Sequence, residues 1–226
     1  MIHGVLNIYK EQGFTSHDVV AKLRGILRQK KIGHTGTLDP AATGVLPVCL
    51  GKATKLCGML TDETKSYETV LLLGQTTDTQ DTTGTVLSSC PVQVTEEEVR
   101  EAVRSFTGEQ LQIPPMYSAL KVNGKKLYEL AREGKEIERK ARKVQFYRIE
   151  ILDLELPRVR MEVTCSKGTY IRTLCHDLGD KLGCGGCMER LERTRVGSFS
   201  REESITLSQV EALQKAGELK AKITPI

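Results

Sequence analysis

A single carboxylate, Asp39, stands between a glycine-spaced loop and a proline in the stretch Lys31 to Lys55, KIGHTGTLDPAATGVLPVCLGKATK. Pro40 disfavours helical backbone for the residue before it, so Asp39 is biased to an extended conformation that projects its side chain outward. Gly33 and Gly36 carry no Cβ and let a bulky ligand approach the backbone just ahead of the aspartate. That combination suits a nucleophile on a rigid ledge, although an isolated Asp-Pro pair more often only starts a turn. A second chemistry-bearing stretch is CSKGTYIRTLCHDLG at 165–179, where Gly168 turns the chain and Tyr170 and Arg172 stand at the first turn of an amphipathic helix. Arg172 lies off the apolar face. It is either a surface arginine or a guanidinium that keeps a carboxylate ionised through paired N–H bonds. Tyr67, in the KSY triplet at the head of a strand, is either a half-buried sheet aromatic or a flat platform for a base. Aromatic residues make up only 4% of the chain and tryptophan is absent, so Tyr67 and Tyr170 are among few stacking groups on offer.

Several other chemistries fail on spacing. Gly44 to Thr54, GVLPVCLGKAT, mimics a phosphate-binding loop, but six residues separate its glycines instead of four, and Ala53 sits where a Ser or Thr would bind magnesium. TTDTQDTTG at 76–84 lacks the glycine and the final glutamate of a calcium loop and reads as a turn. Seven cysteines, an odd and scattered set, argue against a secreted disulfide framework and for reduced thiols. Cys184 and Cys187 have metal-ligand spacing, but there is one such pair and His176 is the only nearby imidazole, so a glycine-rich turn with small buried thiols is preferred to zinc. No metal and no cofactor is expected.

The elements that must position these residues follow from periodicity. Gly4 to Ile8 reads as a first strand. Thr15 and Asp18 form a T-x-x-D helix start, followed by Val19, Val20, Leu23, Ile26 and Leu27 at helical spacing, which predicts a helix over 16–29 with Lys22, Arg24 and Arg28 on its outer face. A strand at Val45–Leu50, a helix at Ala53–Leu60 and a strand at Ser66–Leu73 come next. Thr95 and Glu98 repeat the cap ahead of Val99, Ala102, Val103 and Phe106. Pro114 and Pro115 then break the chain, and a basic stretch holds a short helix near Leu127–Arg132, with Gly134 as its C-terminal cap. Alternation at Val144 and Phe146 shifts parity at Ile149 and Ile151, as a bulge would, and resumes from Val159 to Cys165. A helix from Thr169, a strand over Met188–Val196 and a helix near Ser208–Leu213 finish the pattern. Strands and helices alternate without βαβ spacing, so the expected class is α+β with a mixed, mostly antiparallel sheet flanked by helices.

The formal net charge of +4 is unevenly spread. Residues 1–60 hold eight Lys or Arg against three acids, residues 61–110 three against ten, and residues 121–148 ten against four. Separate basic surfaces suit a polyanionic partner, although solvated helix faces explain most such runs. The first nine residues, MIHGVLNIY, lack the basic start and long apolar segment of a secretory signal, and no apolar run is long enough for a membrane helix. A cytoplasmic protein without a membrane partner is expected.

Six motifs in order resemble the TruB-type tRNA pseudouridine synthases and span nearly the whole chain. They are GHTGTLDPAATGVLPVCLGKATK at 33–55, KSY at 65–67, TTDTQDTTG at 76–84, QIPPMYSALKVNGKKLYELAREG at 112–134, SKGTYIRTL at 166–174 and LERTRVGSF at 191–199. The resemblance implies the pseudouridine synthase fold in one catalytic domain over 1–226, with an inserted RNA-gripping arm at about 110–143. It implies cofactor-free isomerisation of the T-loop uridine of tRNA, conventionally position 55, to pseudouridine, by base flipping and an aspartate-dependent break and re-formation of the glycosidic bond, with an accessory tRNA-folding role. Asp39 falls on the family's catalytic aspartate. By the same resemblance Tyr67 stacks on the target base, Arg172 pairs with the aspartate, and Tyr170 and Asp78 line or support the pocket. His34 enters the space vacated by the flipped nucleotides, and Met188 stands where a leucine commonly packs near the base. Lys10-Glu11 replaces the usual Lys-Pro after the first strand, and the chain stops at Ile226 before the small C-terminal RNA-binding domain of many members. The implied partner is the T-stem and loop of tRNA, gripped by the helix at 16–29 and the arm, with the protein a monomer that needs no other protein. The rivals are an RNA-binding protein without catalysis and a carboxylate-based nucleoside hydrolase, for which Asp78 is the motif-linked second acid.

Overall fold

The computed structural model describes residues 1–225. In chain order the elements are β1 (Gly4–Lys10), α1 (Ser16–Leu27), β2 (Ile32–His34), β3 (Thr43–Leu50), a 3-10 turn at Gly51–Leu56, α2 (Cys57–Thr61), β4 (Lys65–Leu73), β5 (Gln75–Thr77), β6 (Val86–Ser89), α3 (Glu96–Ser105) and β7 (Gly108–Gln112). They continue through β8 (Lys121–Val122), β9 (Lys125–Lys126), α4 (Leu127–Arg132), β10 (Arg142–Glu155), β11 (Arg158–Cys165), α5 (Ile171–Lys181), β12 (Gly186–Val196), β13 (Phe199–Ser200), α6 (Leu207–Ala216), a 3-10 turn at Leu219–Lys222 and β14 (Ile223–Thr224). The architecture is α+β, with mixed, mostly antiparallel sheet strands flanked by helices. The chain divides into two compact units, one of residues 1–68 with residues from 190 onward, the other of residues 69–189.

Three helices start where a side chain satisfies their first free N–H groups. Thr15, Thr95 and Thr206 each accept from the N–H three residues on, and Asp18, Glu98 and Gln209 each accept in return from the threonine N–H. Capping of this kind contributes about 1 kcal/mol per helix.

In the first unit β1 runs antiparallel to β3 and β14, β2 runs antiparallel along β3, and β12 lies parallel to β3 with Glu192 opposite Thr43 and Arg193 opposite Gly44. Leu6, Ile8, Leu46 and Val48 meet Val19, Val20 and Leu23 of α1 and Val210 of α6 in one buried cluster. Val5, Val45 and Cys49 face the other way, against Ala53, Val196 and Phe199. Burial on both faces explains why GVLPVCL is a continuous apolar run without alternation. Each fully covered leucine or valine there contributes roughly 1.5–3 kcal/mol. At Gly44, with φ of +109°, a Cβ would lie 2.2 Å from the Arg193 carbonyl oxygen, so only glycine lets β12 come this close to β3.

In the second unit the strand order is β4-β11-β10-β7. β10 pairs antiparallel with β11 and β7, and register shifts between Phe146 and Arg148 and between Ile151 and Asp153 account for the parity change in the sequence. α3 packs on β10 and α5, with Val99, Val103 and Phe146 buried. β5 and β6 form a separate two-stranded sheet. Between β7 and β10 the chain makes the β8–β9 hairpin, whose turn residues Asn123 and Gly124 both have positive φ (50° and 82°), as a two-residue hairpin turn of this twist requires. The Arg139 guanidinium donates to the Pro114 carbonyl (3.1 Å) and ties the two ends of this segment together.

All seven cysteines are free thiols. Burial pushes Cys49 up to about 12, with contact from Cys57 adding to it, and burial likewise pushes Cys175 up to about 12. Among the described residues no group of three or more His, Cys, Asp or Glu side chains is placed to hold a metal ion. No helix of the described residues is long and apolar enough to cross a membrane.

Candidate active site

Asp39, His34 and Tyr67 belong to the first unit. Asp39 sits in the loop between β2 and β3, half-exposed, and that loop is pinned along its length by groups distant in sequence. Thr35 donates to the Pro47 carbonyl through both its N–H (3.1 Å) and its hydroxyl (3.2 Å). Buried Ser16 clamps Leu38 reciprocally, its Oγ accepting from the Leu38 N–H (3.0 Å) and donating to the Leu38 carbonyl (3.3 Å). The Pro40 carbonyl accepts from the Gly13 N–H (2.8 Å) and from the Lys10 ammonium (3.3 Å). A loop fixed at three points on one side chain's flanks presents that side chain with little freedom to lose on binding.

Lys10 closes β1 and is fully buried. Its Nζ also donates to the carbonyls of Phe14 (2.7 Å) and Glu11 (3.1 Å). Burial pulls its ammonium down to about 8, while the Asp39 charge works against that shift. The lysine therefore supplies positive potential under the aspartate as well as a brace for its loop.

Tyr67 is 7% exposed near the start of β4, so the sheet-aromatic and platform readings are both compatible with its burial. Its side chain is in hydrogen-bond contact with Arg193, which is 1% exposed. Arg193 donates further to the carbonyls of Val45 (2.7 Å) and Gly36 (3.2 Å), the latter in the same pinned loop as Asp39. His34, at the end of β2, stacks edge-on against His17 with ring centroids 5.1 Å apart. Burial lowers its pKa, the His17 and Arg193 charges lower it further, and the imidazole is neutral near pH 7.

Tyr170, Arg172, Asp78 and Met188 belong to the second unit. Tyr170 caps α5, and its backbone is held by the buried Gln112 side chain, which donates to the Tyr170 carbonyl (3.1 Å) and accepts from its N–H (3.0 Å). Arg172 is 6% exposed, so it is no surface arginine. It donates to the carbonyls of Thr79 (3.0 Å) and Tyr117 (2.8 Å), and its Nε lies 3.8 Å from Asp81 Oδ2. Thr173 donates to the Gln80 side chain (2.8 Å), and Gln80 itself holds a left-handed φ of 63°. Asp78 is exposed and accepts from the Thr85 N–H (2.7 Å), which closes its own turn. Buried Met188 donates its N–H to the Gln80 carbonyl (2.9 Å) and accepts from the Thr82 N–H (3.0 Å), so it lines the same turn from the other side.

Lys10, Asp81 and Arg193 were not singled out by sequence reasoning. Asp81 had a signal, since it shares the TTDTQDTTG turn with Asp78, but nothing local distinguishes the two carboxylates. Lys10 falls just past the strand expected at 4–8 and Arg193 inside the strand expected at 188–196, and neither carries a local mark of its role.

This is the architecture of the pseudouridine synthases. The chain aligns over 99% of its length with a solved Cbf5–Nop10–Gar1 complex (TM-score 0.79, 35% identity) and with an H/ACA ribonucleoprotein bound to a substrate RNA containing 2′-deoxyuridine (TM-score 0.75, 32% identity). It spans 60% and 59% of those chains. The TruB family pseudouridylate synthase N-terminal domain matches residues 24–171, and the tRNA pseudouridylate synthase B C-terminal domain matches residues 172–226. The chain is 53% identical over 218 residues to tRNA pseudouridine synthase B of Alkaliphilus oremlandii, covering 96% of this chain and 73% of that protein. It is 57% identical over 233 residues to the protein of the same name from Lachnoclostridium phytofermentans, covering 100% and 76%. The chain belongs to the TruB family of pseudouridylate synthases.

Proposed function

We propose that the protein converts a uridine in the T-loop of tRNA, conventionally position 55, to pseudouridine, with Asp39 as the catalytic carboxylate. The observation that carries this reading is the pinned loop: Asp39 is braced at Thr35, Leu38 and Pro40 and has the Lys10 charge beneath it. A carboxylate so held keeps its direction, which an attack on carbon and the removal of a proton both require. The tRNA substrate rests on the names of the relatives, and the basic face of α1 with the basic segment between β7 and β10 supplies charge to hold the T-stem.

The chemistry is a single-site isomerisation. The uracil must leave the RNA stack and enter the pocket before its bond to the ribose can break. Uracil departs as a delocalised anion, so no second carboxylic acid is needed to protonate it, in contrast to glycoside hydrolysis. The base turns and carbon 5 bonds to the anomeric carbon with an electron pair of the uracil anion, and any bond from Asp39 to the substrate breaks to return the free carboxylate. Loss of the carbon 5 proton then restores the ring: the electron pair of the broken C–H bond forms the double bond between carbons 5 and 6, and nitrogen 1 takes a proton from water. Tyr67 as stacking platform, Arg172 as charge partner of the aspartate, His34 in the vacated space, and Tyr170, Asp78 and Met188 around the pocket are the accompanying roles. A monomer acting without a cofactor is part of the same reading.

The test is incubation with an unmodified T-arm hairpin, followed by mapping of pseudouridine. Asp39→Asn is expected to abolish product while binding the hairpin within about threefold of wild type. Turnover near the wild-type rate in that variant overturns the assignment, and release of free uracil would mark a hydrolase instead.

A further inference from the structure

We propose that Gln112 is a positioning residue for this isomerisation: from the end of β7 its side-chain amide fixes the Tyr170 backbone, and through it the direction of the Tyr170 ring at the pocket. The inference rests on the proposed reaction, in which Tyr170 lines that pocket, and adds to it a residue that touches no reacting atom.

α5 starts unlike α1, α3 and α6. Each of those begins at a threonine whose hydroxyl accepts from the N–H three residues on, while that third residue accepts in return from the threonine N–H. α5 has Tyr170 at the same position, and its side chain caps nothing. The return bond comes from a distant strand instead. Gln112 Oε1 accepts from the Tyr170 N–H (3.0 Å), as Asp18, Glu98 and Gln209 do from their threonines. Gln112 Nε2 donates to the Tyr170 carbonyl (3.1 Å), which also accepts from the Leu174 N–H (3.1 Å). The two partners stand 58 residues apart in the chain, and Gln112 is 2% exposed. A buried amide whose donor and acceptor both close on one residue's backbone has no water to turn to, so it holds that backbone in place and in orientation. The cap position is thereby free to carry a large ring, with its backbone as firmly held as a threonine's.

The rest of the first turn is tied in the same manner. Arg172 donates to the carbonyls of Thr79 and Tyr117, and Thr173 to the Gln80 side chain. Gln112 and Tyr117 lie on either side of Pro114 and Pro115, at the root of the basic segment between β7 and β10. That segment returns at Arg142, which stands opposite Gln112 in the register of β7 with β10. Gln112 is therefore the point at which the root of the segment proposed to hold the T-stem meets the tyrosine assigned to the pocket. A ring displaced by loss of this clamp loses rate more than affinity, because phosphate contacts elsewhere hold the RNA while the reacting atoms need close alignment.

Gln112→Glu separates the clamp from simple packing. A protonated carboxyl offers one O–H donor and one carbonyl oxygen, the same pair as the amide, and reproduces both bonds to Tyr170. The ionised form has no donor and sets a negative oxygen against the Tyr170 carbonyl. Burial and the bond to that carbonyl raise the carboxyl above the ordinary glutamate range, with the Arg142 and Arg172 charges working against the rise.

Single-turnover rates and affinities for the unmodified T-arm hairpin are measured between about pH 5 and 8 for the wild type, Gln112→Glu and Gln112→Met. Gln112→Met keeps the length and removes both bonds; it is expected to slow the reaction at least about tenfold at every pH, with affinity within about threefold of wild type. Gln112→Glu is expected to run within about threefold of wild type at the acidic end and to fall to the Gln112→Met rate as pH rises, its affinity following wild type throughout. A rate ratio to wild type that stays flat with pH, or an affinity that falls in step with the rate, overturns the proposal. In the free proteins, exchange of the Tyr170 amide proton is followed by NMR beside that of Val103 in α3. Gln112→Met is expected to speed exchange at Tyr170 at least about tenfold and to leave Val103 unchanged; an unmoved Tyr170 overturns the clamp. If Gln112→Met does not fold, Gln112→Glu at the two ends of the pH range supplies both readouts, and failure of that variant to fold at the acidic end is equally fatal. A wild type that makes no pseudouridine sinks the proposed reaction while leaving the exchange measurement readable.

Discussion

Arg172→Met removes a buried cation without changing the length of the stem, and its effect can be worked from the contacts. The arginine donates to the carbonyls of Thr79 at 3.0 Å and Tyr117 at 2.8 Å, and faces Asp81 across 3.8 Å with side-chain exposures of 7% and 13%. Charge-assisted hydrogen bonds of this kind contribute about 1.5–3 kcal/mol each, and stranding one partner of a buried ion pair costs about 3–5 kcal/mol. Asp81 keeps bonds from the hydroxyls of Thr79 and Thr83 and from the Thr83 N–H, so it is only partly deserted. The methionine also regains some apolar burial. The lower half of the range is therefore expected, about 3–4 kcal/mol, which at roughly 2–4 °C per kcal/mol for a chain of this size lowers the melting temperature by about 10 °C. Urea and thermal melts followed by far-ultraviolet circular dichroism at constant salt measure this, with Asp81→Asn and the double variant completing a cycle. The two substitutions are expected to be less than additive by at least about 1 kcal/mol. A destabilisation below about 1 kcal/mol, or strict additivity, refutes the claim that this guanidinium anchors the turn.

Other consequences are open to measurement. Burial raises Asp177 to about 6, with His176 pulling it down and Asp180 pushing it up; since the native state then binds the proton more tightly than the unfolded chain, this group supports folding below about pH 4 and ceases to as pH rises through 6. Asp177→Asn should accordingly be neutral at pH 4 and stabilising at pH 7, by about 1 kcal/mol after screening of a half-exposed carboxylate is allowed for, and equal unfolding midpoints relative to wild type at both pH values would refute it. Cys49 and Cys175, both pushed up to about 12 by burial, should resist a disulfide reagent at pH 8 that labels exposed Cys90 rapidly, and peptide mapping of the native protein showing early label at either buried site would count against the packing. Affinity for the T-arm hairpin should fall at least tenfold between about 50 and 200 mM salt if several phosphates are held, and a flat response would rule out the basic surfaces as the grip.

The parts of the fold legible in the sequence are those with a local cause. The Thr15–Asp18 and Thr95–Glu98 boxes announce α1 and α3, and the parity shift near Ile149 announces the bulge in β10, because cap and bulge act within a few residues. β2, β7 and β14 were invisible for the opposite reason: they are short, and partner strands elsewhere in the chain make them strands, as Cys49 does for Gly33 and Val144 for Gln110. The helix expected at 53–60 splits into a 3-10 turn and α2, each without a side-chain cap. Asp39 was legible because proline and glycine leave a local mark. The choice between Asp78 and Asp81 was not, because the left-handed Gln80 decides it, sending one carboxylate to the Thr85 N–H and the other to Arg172.

The buried cations share a logic that no window of sequence contains. Lys10 donates to three loop carbonyls, Lys65 to those of Thr61 and Glu63, Arg193 to those of Val45 and Gly36, and Arg172 to those of Thr79 and Tyr117. Apart from those of Val45 in β3 and Thr61 at the end of α2, these are loop carbonyls, which have no ladder or helix partner, so a covered loop must find donors elsewhere. A cationic side chain supplies several donors from one residue, and the loop in turn supplies the acceptors without which that cation would not be stable in the interior. Neutral carbonyls satisfy the hydrogen bonds but leave the charge. Positive potential therefore accumulates where loops are pinned, and in the first unit that place is the Asp39 loop. The same arrangement that makes the loop rigid places positive charge beside its carboxylate and suits a polyanionic substrate, so replacing Lys10 by an uncharged donor should loosen the loop and weaken that potential together.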